Sequence, residues 1–279
     1  MKKIKRIVIL GSGGFISKSL EKKLSKKRIN YLGLKRKKID LKKNSSVIKL
    51  RKLLKKEDIV IIIAAKAPCK NLKMLEENLQ IMKNIIRAIS NKKLSKVVYI
   101  SSDAVYSDSM KKINENSKTN PENLHGQMHL IREKMLLSIN PKDLCILRPT
   151  LIYGENDPHN GYGPNSFLRL AKNNLPIKIF GNGEELRDHV HVEDVAKIIY
   201  LSIVNNFIGK LNIVTGTKIS FYQIAKLAIK RCNSRSKIIK IKRAGPMPHN
   251  GYRLFNASNI KKYFKTVKLI SIKQNKLYK

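Results

Sequence analysis

Two histidines stand four residues apart, His125 and His129, in a stretch reading P-E-N-L-H-G-Q-M-H-L-I-R-E from Pro121 to Glu133. On a helix that spacing puts both imidazoles on one face. An imidazole titrates near pH 6.5 and so can take or give a proton at neutral pH. Histidines so spaced can also share a zinc ion, but no third ligand stands at a useful spacing and no metal is expected. A second candidate lies near the start of the chain. The β-forming run Ile4, Ile7, Val8, Ile9, Leu10 stops at Gly11, and Gly13 and Gly14 follow before an amphipathic segment. A buried strand, a Gly-rich turn and a helix N-terminus together aim backbone N–H groups and the helix dipole at a phosphate. The same string can also be a tight turn that holds nothing. A third candidate is the loop His159–Asn160–Gly161–Tyr162–Gly163–Pro164–Asn165, which opens a helix at Asn165 and can offer N–H groups to phosphate. His189 and His191 alternate along a strand pattern, and Glu193 and Asp194 can cap the helix after it.

These residues need a frame, and the chain supplies alternating strands and helices. Strands are expected at Ile29–Leu34, Asp58–Ala64, Val97–Ser101 and Leu144–Leu147. The apolar run D-I-V-I-I-I-A at Asp58–Ala64 suits a strand covered on both faces. Helices are expected from an Asn44-Ser45-Ser46 cap to about Lys56, at Leu72–Ile89, and at Pro121–Ile139. Repeated βα units of this kind predict a doubly wound parallel sheet with ligands outside the carboxyl ends of its strands. Beyond Leu151 the texture changes to Gly, Pro and Asn-rich loop, then short elements: a helix at Asn165–Asn173, segments Ile177–Phe180 and Leu211–Val214, helices Val190–Asn205 and Phe221–Arg231, and a strand at Lys237–Ile241. Residues 1–150 are read as the main α/β domain and 151–279 mostly as a smaller lobe, with parts of 186–215 returning to the sheet.

Composition narrows the class. The net charge is +40, from 59 Lys and Arg against 19 Asp and Glu, yet the lysines spread over the exposed phase of nearly every helix rather than clustering. No base-stacking aromatic cluster stands among them, so no specific nucleic-acid binding is expected, only attraction for anionic ligands and nonspecific polyanions. No apolar run reaches the ~18 residues of a membrane span. Met1-Lys2-Lys3 leads straight into the first strand, leaving no room for a signal peptide. Cys69, Cys145 and Cys232 are scattered and odd in number, which suits reduced thiols in a cytoplasm.

Five strings in order resemble the extended short-chain dehydrogenase/reductase family, the NAD(P)-dependent nucleotide-sugar epimerases and dehydratases. They are G-S-G-G-F-I at Gly11–Ile16, A-A-K-A at Ala64–Ala67, Y-I-S-S-D-A-V-Y at Tyr99–Tyr106, L-R-P-T-L-I-Y-G at Leu147–Gly154 and R-D-H-V-H-V-E-D-V-A at Arg187–Ala196. The resemblance implies a Rossmann sheet with a smaller, interleaved substrate-binding lobe, and a homodimer. It implies that Gly11, Gly13, Gly14, Phe15 and Ile16 form the pyrophosphate turn, with Ser17 where relatives carry a further glycine. Asp40 and Leu41 would lie near the adenine, and Ala64, Ala65 and Lys66 would line the cofactor. Asn78 would sit under the site, and Pro149 and Thr150 would face the nicotinamide end. Where an acidic residue would hold the ribose of NAD, this chain has Lys35-Arg36-Lys37, and the Arg36 guanidinium suits the 2′-phosphate of NADP.

By the same resemblance Ser102 takes the place of the hydroxyl that bonds the reacting sugar oxygen. Asp103-Ala104 stands where 4,6-dehydratases carry Asp-Glu, which argues for epimerisation or 4-keto reduction over loss of water. Arg187 matches an arginine that clamps the nucleotide-sugar pyrophosphate, its planar fork suited to phosphate oxygens, and Arg253 a second one; a surface ion pair with Glu184 or Glu185 is the other reading of Arg187. The departure falls on the family's Y-x-x-x-K pair, whose places hold His125 and His129. His125 would then serve as acid/base in place of Tyr, with His129 bonding the cofactor ribose. The alternative is a non-catalytic member that binds NAD(P) without turnover.

Overall fold

The computed structural model describes residues 4–109, 111–141, 143–155, 157–158, 161–265 and 267–274. Met1–Lys3, and His159 and Asn160 of the expected phosphate loop, lie outside them. The chain opens with β1 (Ile7–Leu10), α1 (Phe15–Lys26), β2 (Tyr31–Leu34), α2 (Ser46–Leu53), β3 (Ile59–Ile62), α3 (Leu72–Ile89) and β4 (Lys96–Ile100). A 3-10 turn (Asp103–Val105) leads to α4 (Leu124–Ser138), β5 (Leu144–Pro149), β6 (Leu151–Tyr153), α5 (Pro164–Lys172), β7 (Ile177–Phe180), β8 (Leu186–Arg187), β9 (His189–His191) and α6 (Val192–Val204). Then come β10 (Gly209–Ile213), β11 (Ile219–Ser220), α7 (Phe221–Arg231), β12 (Ile238–Ile241), a turn at Pro248–Gly251, β13 (Tyr252–Arg253) and α8 (Ser258–Tyr263).

Two compact units share this chain. The first comprises Met1–Ser107, Glu115–Pro149 and Val195–Ile213. Its six strands run in the order β10-β5-β4-β3-β1-β2, every pairing parallel. The strand sequences explain this. β1 is I-V-I-L and β3 is I-V-I-I, and all eight residues are buried, which only a sheet covered on both faces allows. One face (Val8, Leu10, Val60, Ile62, Val97, Tyr99) packs on Val47 and Leu50 of α2, Ile81, Met82 and Ile85 of α3 and Leu136 of α4. The alternate residues Ile7, Ile9, Ile61 and Val98 are buried on the other face. The order reverses between β1 and β3, which makes their carboxyl ends the topological switch point where such sheets hold ligands.

The second unit comprises Asp108–Asn114, Thr150–Asp194 and Val214–Lys279. It contains a mixed three-stranded sheet β11-β8-β13 and the parallel pairs β12-β7 and β6-β9. Its own core gathers Tyr153, Phe167, Ile177, Ile179, Phe221 and Ile224. The sequence does not anticipate that Asp108–Asn114 belongs here. Ile113, 1% exposed, bridges Phe255, and its N–H bonds the Leu254 carbonyl at 2.8 Å.

Several expected boundaries move by one to three residues, and one expected cap is absent. α2 starts at Ser46, and Ser45 before it has helical backbone angles and no side-chain cap bond. A serine already in the helical region does not direct its hydroxyl back to the first free N–H groups. The helix read from Asn165 starts instead at Pro164, which suits a first helical position because proline lacks the N–H that would be unsatisfied there. Among the described residues no helix is long and apolar enough to cross a membrane.

Candidate functional site

The glycine turn is made by close approach of two strand ends. Ile63 N–H and Ala64 N–H both bond the Leu10 carbonyl, at 2.9 and 2.8 Å, drawing the ends of β1 and β3 together. Gly11 takes a φ of +96°, and a Cβ there would stand 2.6 Å from the Ala64 nitrogen. Only glycine fits. Gly14 then caps α1 without a side-chain bond, and no acidic residue occupies the first turn, so the positive end of the helix carries no counter-charge of its own. Ser17 is buried and gives its hydroxyl proton to the Gly14 carbonyl at 3.1 Å, so the serine is accommodated by a local bond.

The flanks of the turn hold the other expected cofactor residues. Lys35 passes its stem over Gly13, its Cε lying 3.4 Å from where a Cβ on that glycine would be. The Arg36 side chain is 74% exposed and 3.9 Å from Asp40, while Leu41 is buried. Arg132 of α4 donates to the Ala64 carbonyl at 2.7 Å. Asn78 of α3 accepts from Lys66 N–H at 2.8 Å and donates to the Lys66 carbonyl at 3.0 Å. The Ala64–Lys66 segment is thereby held from two helices.

The histidine face is built at the end of β4. Ser102 caps the 3-10 turn by accepting from Ala104 N–H at 3.1 Å, and gives its proton to Asp103 at 3.4 Å. Asn123 caps α4 by accepting from Gly126 N–H at 2.9 Å. A Cβ on Gly126 would stand 2.1 Å from the Ala104 carbonyl oxygen, so this glycine alone lets the first turn of α4 close on the 3-10 turn. Ser102, Asp103 and His125 are thus brought to one place. Burial lowers the His125 pKa, with the Asp103 charge opposing. His129 is 5% exposed. Burial holds it well below the usual histidine value, with His125 and Arg132 adding to the effect. The two rings meet edge to face at 4.8 Å.

Residues to which the sequence assigned no role complete the face. His129 Nδ1 lies 2.8 Å from the Tyr99 hydroxyl, and the Arg132 guanidinium lies over the Tyr99 ring at 5.2 Å. Burial pushes the Tyr99 phenol up to about 12. Glu133 and Arg148 form a buried two-point pair, and Ser101 donates to Glu133 at 2.6 Å. Arginine at position 148 inside the buried strand L-C-I-L-R-P is a signal that sequence could have given, since such a charge needs a partner. His129, which the resemblance puts at the ribose, is engaged through Nδ1 with Tyr99.

In the second unit Arg187 and Arg253 are buried rather than on the surface. Arg187 pairs with Glu185 and donates to the Pro248 carbonyl at 2.8 Å. Arg253 pairs with Asp108 at 3.0 Å, and His249 pairs with the same carboxylate. Asn165 accepts from Gly154 N–H at 3.2 Å and donates to Asp157 at 2.7 Å, so its side chain organises its own loop. Both His189 ring nitrogens are buried without a hydrogen-bond partner among the described residues. Burial, with Arg187 second, brings that imidazole down to about 3. Among the described residues no group of three or more His, Cys, Asp and Glu could hold a metal ion.

A sequence profile of the NAD dependent epimerase/dehydratase family matches residues 7–214, about three quarters of the chain. The chain belongs to that family. Its members of this type are extended short-chain dehydrogenases/reductases that act as nucleotide-sugar epimerases, dehydratases and reductases. A dTDP-D-glucose 4,6-dehydratase of Dictyostelium discoideum is 28% identical over 271 residues, covering 81% of this chain. The chain spans 62% of that dehydratase's length. The fold matches that of a UDP-glucose 4-epimerase from Thermus thermophilus in complex with NAD, with a TM-score of 0.80, 20% identity and 92% of each chain covered. It also matches a GDP-mannoheptose C4 reductase from Campylobacter jejuni with NADP bound, at a TM-score of 0.79 and 21% identity, covering 98% of this chain and 96% of the other.

Proposed function

We propose that this protein is an NAD(P)-dependent epimerase or 4-keto reductase acting on a nucleotide-activated sugar, with His125 in the place of the family's catalytic tyrosine. The observation that carries this reading is the junction at Gly126, which brings Ser102, Asp103 and His125 together beyond the carboxyl end of β4. The residues of the switch point fit a dinucleotide: a turn that admits no Cβ at Gly11, and a helix end with no acid in its first turn. Gly11, Gly13, Gly14, Phe15, Ile16, Asp40, Leu41, Ala64, Ala65 and Lys66 would hold it. When bound, the nicotinamide would supply reversible hydride transfer at the sugar carbon.

The chain's own groups supply the rest. The Ser102 hydroxyl would hydrogen-bond the reacting sugar oxygen, and His125 would exchange the proton with it. Asp103, whose charge opposes the effect of burial on His125, would steady an imidazolium as it forms. Ala104 leaves the site without the second carboxyl group that dehydration needs, which favours epimerisation or reduction. Lys35 beside the turn and the exposed Arg36 support NADP over NAD. Arg187 and Arg253 would take the pyrophosphate of the substrate, exchanging their carboxylate partners for phosphate oxygens, with Asn165 shaping the neighbouring loop. The protein would work as a homodimer in a cytoplasm, where its three free cysteines stay reduced.

One observation favours the second reading, binding without turnover: His129 is buried, and its Nδ1 faces Tyr99. Incubation with UDP-, GDP-, dTDP- and CDP-sugars, each with oxidised and reduced NAD and NADP, separates the two readings. A new sugar isomer or reduced sugar supports the enzyme. Demonstrable cofactor binding with no product from any combination supports the binding protein.

A further inference from the structure

The two arginines of the second unit are register partners, Arg253 of β13 beside Arg187 of β8 in a parallel pair. Residues in register on neighbouring strands share a face, with the strands about 4.8 Å apart. Two guanidinium groups that close repel unless oxygen atoms surround them. Both are buried, so the protein itself supplies those oxygens.

Two of them are carboxylates. Glu185 pairs with Arg187 and is shared with Arg243 at 3.2 Å, and Asp108 pairs with Arg253 at 3.0 Å. The turn Pro248–Gly251, which runs directly into β13, adds the rest of the hold. Its Pro248 carbonyl accepts from Arg187 Nη2 at 2.8 Å, and its His249 ring bonds the same Asp108 oxygen that Arg253 holds.

The turn is the weak side of this arrangement. None of its residues is buried. His249 and Asn250 take φ angles of +55° and +50°, which residues other than glycine hold only where their contacts demand it. Gly245 and Gly251, at φ +83° and +76°, give the backbone points at which to swing. The Asp108 side is fastened instead. Ile113 N–H bonds the Leu254 carbonyl at 2.8 Å, and Asn256 N–H bonds the Ile113 carbonyl at 2.9 Å, tying that segment to the chain just beyond β13.

We propose that the turn Pro248–Gly251 is a self-inhibitory latch, whose Pro248 carbonyl and His249 ring occupy the arginine pair and give way to the phosphate oxygens of a nucleoside diphosphate. The inference rests on the reading of Arg187 and Arg253 as the diphosphate pair, and it adds the step that frees them. A carbonyl oxygen is a neutral acceptor, whereas a phosphate oxygen is charged and makes the stronger bond to a guanidinium. Backbone strain released as the turn lifts favours the exchange. The latched fraction weakens the apparent affinity in proportion, so loosening the latch tightens binding.

The test is calorimetric titration with UDP, GDP, dTDP and CDP, the dinucleotide site being saturated with NAD or NADP. The unaltered protein is compared with three variants whose folding is checked by thermal melts. His249→Ala cuts the side-chain tether, and Asp108→Asn weakens the hold on His249 and Arg253 together. Each should bind the preferred diphosphate about tenfold more tightly. Arg187→Met should bind it about 10²-fold more weakly. Hydrogen exchange across residues 245–252 should quicken when the diphosphate binds. If Arg187→Met loses binding while neither latch variant gains it, or if exchange in the turn is unchanged or slowed, the arginine pair stands and the latch is overturned. If Arg187→Met binds as the unaltered protein does, or no protein binds any of the four, the diphosphate reading falls and the latch with it.

Discussion

The glycine turn and the histidine face lie beyond the carboxyl ends of strands in one sheet, and they are made of different materials. The turn is backbone: Gly11 fits because anything larger would strike the Ala64 nitrogen. The histidine face is side chain upon side chain: Arg148 and Ser101 on Glu133, and Tyr99 on His129. A backbone site tolerates exchange of its surroundings but not of its glycines. A side-chain network tolerates backbone variation but depends on each proton having a place.

Breaking the turn should have the largest effect. Gly11→Val combines a left-handed backbone with a clash against backbone, and should cost about 4 kcal/mol or more of stability and abolish NAD(P)H binding. Denaturant unfolding and fluorescence titration of the cofactor measure both. Breaking the network comes next. Glu133→Gln leaves the Arg148 charge buried and unpaired and should cost about 3–5 kcal/mol in the same unfolding assay.

A third imidazole gives the contrast its reference. His189, unlike His129, has no hydrogen-bond partner at either nitrogen among the described residues. Its proton is bound near pH 6.5 in the unfolded chain and only at about 3 in the fold. Between those values the unfolded state holds more protons, so stability falls as pH falls. This one group should remove about 1.4 kcal/mol per pH unit within that window. Urea midpoints between pH 7 and pH 4 should drop, and His189→Leu should flatten the slope. The smallest effect concerns caps. Asn123→Ala, at the start of the helix that carries the pair, should cost about 1 kcal/mol, whereas Ser45→Ala, before α2, should cost only a few tenths. Thermal melts of the two variants side by side check the difference.

The same contrast explains what the sequence disclosed. The sheet was legible because β1 and β3 are unbroken apolar runs and because α3, at Leu72–Ile89, shows its apolar face at helical spacing. The glycine turn was legible because its glycines directly follow a β-forming run, although the clash that requires Gly11 comes from Ala64 at the end of β3. The pairing of His125 with His129 was legible from their spacing, but their hydrogen-bond partners were not. Those are Cys69, 56 residues from His125, and Tyr99, 30 residues from His129. Only the parallel pairing of β3, β4 and β5 brings those positions together. Arg187 and Arg253 were identifiable as arginines of interest, but their burial against Glu185 and Asp108 required the fold. Asp108 in particular joins its unit through a short excursion that no periodicity marks.

The most direct measurement is product formation by His125→Ala beside the unaltered protein, on whichever nucleotide-sugar and cofactor the panel selects, with cofactor affinity measured in parallel. A proton-handling His125 predicts a loss of about 10²–10⁴-fold in turnover with cofactor binding retained. Equal turnover by the two proteins would contradict the account and return the chemistry to another group at the end of β4.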